Sequence, residues 1–168
     1  MGQALPKPAL RPMLPADAAF LAAIYRASVM ELTGDDYSEA QQAAWAETSG
    51  DPDFAAKLSN QLTLVATINS APVAFISLKG ADHVGMLYVH PGVVRQGIAT
   101  MLYDAIEKLA ASRGAKQLTV DASDTARPFF EKQGYEGVHR NTIPLGDEWL
   151  GNTHMRKRLV GADPKRAN

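Results

Sequence analysis

The sequence contains no cysteine. Disulfides, thiolate metal sites and a cysteine nucleophile are therefore excluded, and residence in a reducing cytoplasm is permitted. Charge of either sign is not in excess: 17 Lys and Arg stand against 18 Asp and Glu, for a net charge of -1. A partner such as nucleic acid or an anionic membrane would find no sustained basic face. No apolar run approaches the ~20 residues of a membrane span, and the opening Met-Gly-Gln-Ala-Leu-Pro lacks the charged and apolar regions of a signal peptide. Pro6 stands where myristoylation at Gly2 would want Ser or Thr. The histidines, His83, His90, His139 and His154, show neither the spacing of a metal site nor an accompanying carboxylate cluster, so no metal is expected. These absences leave a cytoplasmic protein with a small-molecule or peptide partner, no nucleic acid and no membrane. A homodimer stays open.

What is present suits one globular unit. The chain has 168 residues, 46% of them hydrophobic, which is enough for one real core. Residues 1–168 are expected to form a single domain, ordered over about 9–160, with a flexible tail at 161–168. A first strand spans Ala9 to Leu14. Pro15 and Asp17 then open a helix in which Phe20, Leu21, Ile24 and Val29 recur at helical spacing. Further helices are expected over Ser38 to Glu47 and after Asp51-Pro52. From Leu62 the period changes. Leu62 to Ile68 and Pro72 to Leu78 flank Asn69-Ser70 as a hairpin, and His83 to Val89 follows as a third strand. Gln96 to Arg113 places Met101, Leu102, Ala105, Ile106, Leu109 and Ala110 on one stripe, with Gly114 as the stop. A short strand at Lys116 to Asp121, a helix at Thr125 to Gln133 and strands at Tyr135 to Asn141 and Trp149 to Leu159 complete the series. The order implies an α/β (α+β) fold with a mixed, mostly antiparallel sheet of six to seven strands, flanked by helices and containing one crossover.

That crossover carries the most informative stretch, His90-Pro-Gly-Val-Val-Arg-Gln-Gly-Ile-Ala-Thr-Met-Leu102. The first amides of a helix have no partner within it, and the aligned peptide dipoles make that end partly positive. Gly97 lets a ligand approach the backbone, and Arg95 adds charge, so a pyrophosphate is the natural guest. Neither a G-x-x-x-x-G-K-[ST] loop nor a G-x-G-x-x-G followed by an acidic residue about 20 positions on is present. A nucleoside triphosphate and NAD are thereby disfavoured.

The run Met86-Leu-Tyr-Val-His-Pro-Gly-Val-Val-Arg-Gln-Gly-Ile-Ala-Thr-Met-Leu102, followed by Asp121-Ala-Ser-Asp-Thr-Ala-Arg-Pro-Phe-Phe-Glu-Lys-Gln-Gly-Tyr135, resembles the two signature segments of the GNAT superfamily of acyl-CoA N-acyltransferases. The resemblance extends in element order from about Ala9 to Leu159. It implies a sheet splayed in its middle and acetyl-CoA as co-substrate. In the family, a [QR]-x-x-G-x-[GA] loop wraps the pyrophosphate of coenzyme A; here it reads Val94-Arg95-Gln96-Gly97-Ile98-Ala99, with Thr100 next and Val in place of the first Gln or Arg. The grip is made by main-chain amides, so that departure costs about one contact. By the same resemblance the pantetheine lies beside the Leu87-Tyr88-Val89 strand, with the Leu87 amide facing the thioester carbonyl and Val89 pairing with a pantetheine amide. A fixed backbone donor there would stabilise the oxyanion of acyl transfer.

Acyl transfer to an amine needs that amine neutral, hence a base. The position where the family often carries a Glu corresponds to His83, whose type titrates near 6.5 and suits the task at neutral pH. Asp82, Asp121 and Tyr37 are alternatives. The family's acid, a Tyr in A-x-x-x-Y-x-x-x-G-[FY], is replaced by Phe130, beside Phe129; Tyr88 or water could substitute. Ser123 stands where the family favours Asn and either contacts pantetheine or caps the next helix. The resemblance places the acceptor at the first helices, Tyr25 to Trp45, where Asp35, Asp36, Tyr37 and Trp45 suit a cationic amine, with Asp121 as a further substrate-binding candidate. Arg156, Lys157 and Arg158 read as sheet-edge protection. The activity implied is N-acetylation of a primary amine by direct attack in a ternary complex. A non-catalytic acyl-CoA sensor and another phosphate-ligand enzyme are the alternatives.

Overall fold

Two positive-φ residues, Asn69 at 51° and Ser70 at 70°, make the tight turn that joins the strands β2 (Leu62–Ile68) and β3 (Ala71–Lys79). Their twist matches that of a two-residue hairpin. A computed structural model of the protein describes residues 6–159; the expected tail at 161–168 lies outside the described residues. The hairpin is extended on one side by β1 (Ala9–Pro12) and on the other by β4 (His83–Val89), all antiparallel. Helices α1 (Ala18–Leu32), α2 (Glu39–Glu47) and α3 (Phe54–Ser59) intervene between β1 and β2. Ser38 caps α2, its hydroxyl accepting from the Gln41 amide at 3.1 Å.

After β4 come α4 (Ile98–Ser112), β5 (Gln117–Ser123), the short α5 (Arg127–Lys132), and the hairpin of β6 (Glu136–Leu145) and β7 (Glu148–Arg158). The sheet has seven strands in the order β1-β2-β3-β4-β5-β7-β6, with β4 and β5 as its parallel pair. This is the mixed sheet expected from the sequence. α4 begins at Ile98 and not at Gln96, because Gly97 at φ 79° and Arg95 at φ 64° leave the helical region. β6 runs past Asn141 and takes in Pro144. A proline lacks the N–H a central strand needs, but β6 is the sheet edge, where that donor is not missed.

Each face of the sheet has its own core. On one, Ile98, Leu102, Ile106 and Ala110 of α4 pack with Leu64, Ile76, Val84, Leu118 and Met155. On the other, Leu21, Ile24 and Val29 of α1 pack with Phe54, Val65 and Phe75. β4 serves both faces through a bulge: Ser77 pairs with Met86 and Leu78 with Val84, leaving Gly85 as the extra residue. Side-chain parity changes there. Val84, Leu87 and Val89 face the α4 core, while Met86 and Tyr88 face α1 and α2.

Candidate functional site

β4 and β5 share only two rungs, His83 with Thr119 and Val84 with Val120. Beyond Val84 the strands part. The direction of the free backbone groups follows from the neighbouring ladder: the His90 amide donates to the Val73 carbonyl at 2.8 Å. Antiparallel strands alternate bonded and non-bonded residues, so Tyr88 and Met86 turn their amides toward β3, and Leu87 and Val89 turn theirs into the gap. The gap widens into a cleft of about 190 Å³, whose walls include Tyr37, Trp45, Leu87, Tyr88, Asp121 and Phe130.

The open end of the gap leads to the loop before α4. His90 Nδ1 accepts from the Gly92 amide at 3.0 Å and stabilises a turn of 3-10 helix over Pro91–Val93. Arg95 then occupies the left-handed region, which costs a non-glycine residue about 1–2 kcal/mol. Gly97 does the same without that cost, and a Cβ built on it meets nothing within 4 Å. Among the described residues no side chain caps α4, and Met101 is the first amide bonded back to the loop, at 3.0 Å from the Gly97 carbonyl. The amides of Ile98, Ala99 and Thr100 are therefore free donors at the positive end of a fifteen-residue helix. Val94, Arg95 and Gln96 curl around that end. A helix mouth with three free amides, an open Gly97 and an exposed Arg95 fits a diphosphate, and the adjoining gap fits the extended arm of coenzyme A.

At the closed end of the gap a polar platform crosses β4, β5, β7 and β6 on the face away from α4. Its rows follow from register: His83, Thr119, Arg156 and Glu136; then Asp121, His154 and His139; then Ser123, Asn152 and Asn141. His83 Nδ1 lies 2.7 Å from the Thr119 hydroxyl, and its Nε2 lies 3.7 Å from Asp121 Oδ2. His154 Nδ1 is 2.7 Å from Asp121 Oδ1, and the His154 ring stacks on His139 with centroids 5.0 Å apart. Burial pushes the His83 imidazole below its usual 6.5; Asp121 and Asp82 oppose this, and His154 and Lys79 reinforce it. His83 is thus neutral at pH 7 and able to accept a proton.

The remaining residues singled out in the sequence divide between the cleft and structural duties. Phe130 is 2% exposed, packed edge-on against Phe129, Tyr103 and Tyr135, and brings no proton donor to the cleft. Phe129 lies in the same cluster, against Tyr103. The Ser123 hydroxyl accepts from the Ala126 amide at 3.0 Å and closes the turn that leads into α5, whose own N-cap is Ala126. The Tyr37 hydroxyl donates to the Gly151 carbonyl at 2.7 Å and accepts from the Asp124 amide at 2.9 Å. Trp45 stands edge-on to Tyr37 and Tyr88. Tyr88 packs its ring 4.5 Å from Tyr25, and burial holds its phenol well above the ordinary range. His154, Asn141 and Asn152 were not assigned a role from sequence, because cross-strand register alone brings them beside Asp121. Gly85 inside a strand pattern was a readable sign of the bulge.

Known proteins share this arrangement. A family model for the acetyltransferase (GNAT) domain matches residues 33–159. The uncharacterized N-acetyltransferase YafP of Escherichia coli (strain K12) is 35% identical over 147 residues, covering 88% of this chain and 93% of that protein. The crystal structure of a GCN5-related N-acetyltransferase from Rhodopseudomonas palustris, described further as a class-II aminotransferase, is 57% identical and superposes with a TM-score of 0.89 over 94% of this chain and 100% of its own. At 17% identity, the PaiA N-acetyltransferase of Thermoplasma acidophilum, solved with coenzyme A, shares the fold with a TM-score of 0.74 over 91% of this chain and 99% of its own. With the family match running from the end of α1 through the last strand, and with the parted strands and the glycine loop before α4 in place, the chain belongs to the GNAT family of acetyltransferases.

Proposed function

We propose that the protein transfers the acetyl group of acetyl-CoA to a primary amine of a small molecule or peptide by direct attack in a ternary complex. The observation that carries this reading is the continuity of the gap with the loop before α4. Amides of Leu87 and Val89 directed between the strands lead to the free amides of Ile98, Ala99 and Thr100. One extended thioester could be held along its length by this backbone. The Leu87 amide serves as the oxyanion donor, fixed by the sheet before reaction begins. His83 takes the proton of the amine, directly or through one water. Phe130 offers no acid, so the thiolate, with an ordinary pKa of about 8.5, departs unprotonated and collects its proton from solvent.

The replacement of Tyr by Phe130 also favours, as a second reading, a protein that binds acyl-CoA without turning it over. Acetyl transfer over a panel of amines separates the two. Titration calorimetry with acetyl-CoA tests the binding mode they share. Gly97→Val forces a β-branched residue to φ 79°, where every L side chain is disfavoured. It is expected to weaken acetyl-CoA binding by about tenfold or more, with the far-ultraviolet spectrum unchanged. Unaltered affinity in a folded variant would remove the loop from the site.

A further inference from the structure

The acetyl-transfer scheme accounts for His83 but leaves its surroundings on the platform unused. In the tautomer whose Nδ1 proton points to the Thr119 hydroxyl, 2.7 Å away, His83 Nε2 carries the lone pair and faces Asp121 Oδ2 across 3.7 Å. In that tautomer both atoms are hydrogen-bond acceptors, and the spacing is too long for a bond between them. A group rich in donors would satisfy both. Asp121 cannot swing away, because its other oxygen is held by His154 at 2.7 Å and approached by the Asn141 amide at 3.5 Å. Asp121 is also the first residue of β5 beyond the last rung shared with β4, and it lines the cleft. Around this pair stand Thr119, Arg156 and Glu136 in the adjoining row, His139 against His154, and Lys79 and Asp82 toward His83.

We propose that the space between His83 Nε2 and Asp121 Oδ2 seats the ammonium group of an aliphatic primary amine, with His154 as the residue that positions Asp121. The proposal rests on the N-acetyltransferase reading and narrows its substrate to amines that arrive charged. The cation is drawn to the carboxylate. One of its N–H bonds then breaks as a new N–H bond forms at His83 Nε2, and the electron pair stays on the amine nitrogen. The neutral amine is no longer attracted to Asp121, whose charge now faces the imidazolium, and moves to the thioester, where the C–N bond forms, the C–S bond breaks and the second nitrogen proton passes through solvent to the departing thiolate. An arylamine, uncharged at pH 7, gains nothing from the seat.

Benzylamine and aniline test this, being close in shape while the first is a cation and the second uncharged at neutral pH. In calorimetry on the protein with coenzyme A bound, benzylammonium is expected to bind about tenfold or more tightly than benzyl alcohol, and Asp121→Asn to bring the two within about threefold. The kcat/KM ratio of benzylamine to aniline is expected to fall by a similar factor in that variant. His154→Ala should raise the KM for benzylamine by roughly three- to tenfold, and His154→Asn, whose amide can stand where Nδ1 stood, should restore it. A preference that survives Asp121→Asn, or equal binding of ammonium and alcohol by the unaltered protein, overturns the seat. Failure of His154→Asn to improve on His154→Ala overturns the positioning role. Should no amine be acetylated while acetyl-CoA still binds, the transferase reading fails; transfer that proceeds without the charge preference sinks the seat alone.

Discussion

At the scale of single residues, the proposed chemistry turns on one imidazole. Burial displaces the His83 pKa below 6.5, so the neutral, proton-accepting form gains population as pH rises through a value under 6.5 and is the major form at pH 7. The acid limb of kcat/KM against pH is therefore expected to fall below 6.5, and His83→Ala to remove that limb with about a hundredfold loss of rate. An unchanged profile in the variant would disqualify the residue as base. His83 was legible in the sequence as a candidate only because the strand and loop motifs located its place in the fold. Its partners were not. Asp121 and His154 lie far apart along the chain, and nothing in local composition joins them; they meet because β5 and β7 pair in a register that puts Asp121 opposite His154.

At the scale of elements, the feature with the widest reach is the bulge in β4. It reverses which face each later residue serves, so Leu87 and Val89 pack under α4 while Met86 and Tyr88 meet α1 and α2. A Cβ at Gly85 would lie 2.6 Å from Gln61 Oε1 and 2.9 Å from Ser77 Oγ, two buried polar atoms without a hydrogen-bond partner among the described residues. Gly85→Ala is expected to cost about 1–3 kcal/mol through overpacking. Denaturant unfolding would read this as a lower midpoint with an unchanged slope; a midpoint equal to that of the parent would show that the side chains move aside freely. Strand and helix identities were readable because they depend on periodicity: the hairpin at Asn69-Ser70, the stripe of α4 and the stop at Gly114 all stand where patterning puts them. Boundaries slipped where tertiary placement overrode local preference. The sequence pattern closes a strand at Asn141, yet β6 runs on through Pro144 to Leu145, because the edge of the sheet asks for no donor there.

At the scale of the whole molecule, stability is tied to pH through carboxylates held by arginines. The Arg11 guanidinium holds Asp17 below the usual carboxylate range, aided by the Leu14 amide at 2.7 Å, and Arg140 does the same for Asp124. A carboxylate with a lowered folded-state pKa contributes stability that is present above its unfolded value, about 3.9, and is lost as pH falls through the folded value. His83 acts in the same direction nearer neutrality, since its folded state resists protonation below 6.5. Asp17→Asn is expected to lower stability at pH 7 by about 1.5–3 kcal/mol, the worth of hydrogen bonds to a charged group, and to flatten the acid limb of stability against pH. Equal slopes in parent and variant below pH 5 would refute that assignment. The parted sheet has a mechanical consequence of its own. Its two halves share a seam of two rungs, yet the phenolic oxygen of Tyr37, carried by the half that holds β1 to β4, grips Asp124 and Gly151 of the other half. That brace ties the two sides of the wedge together, so the thioester of the proposed reaction would meet a slot already cut and need not pry the strands apart.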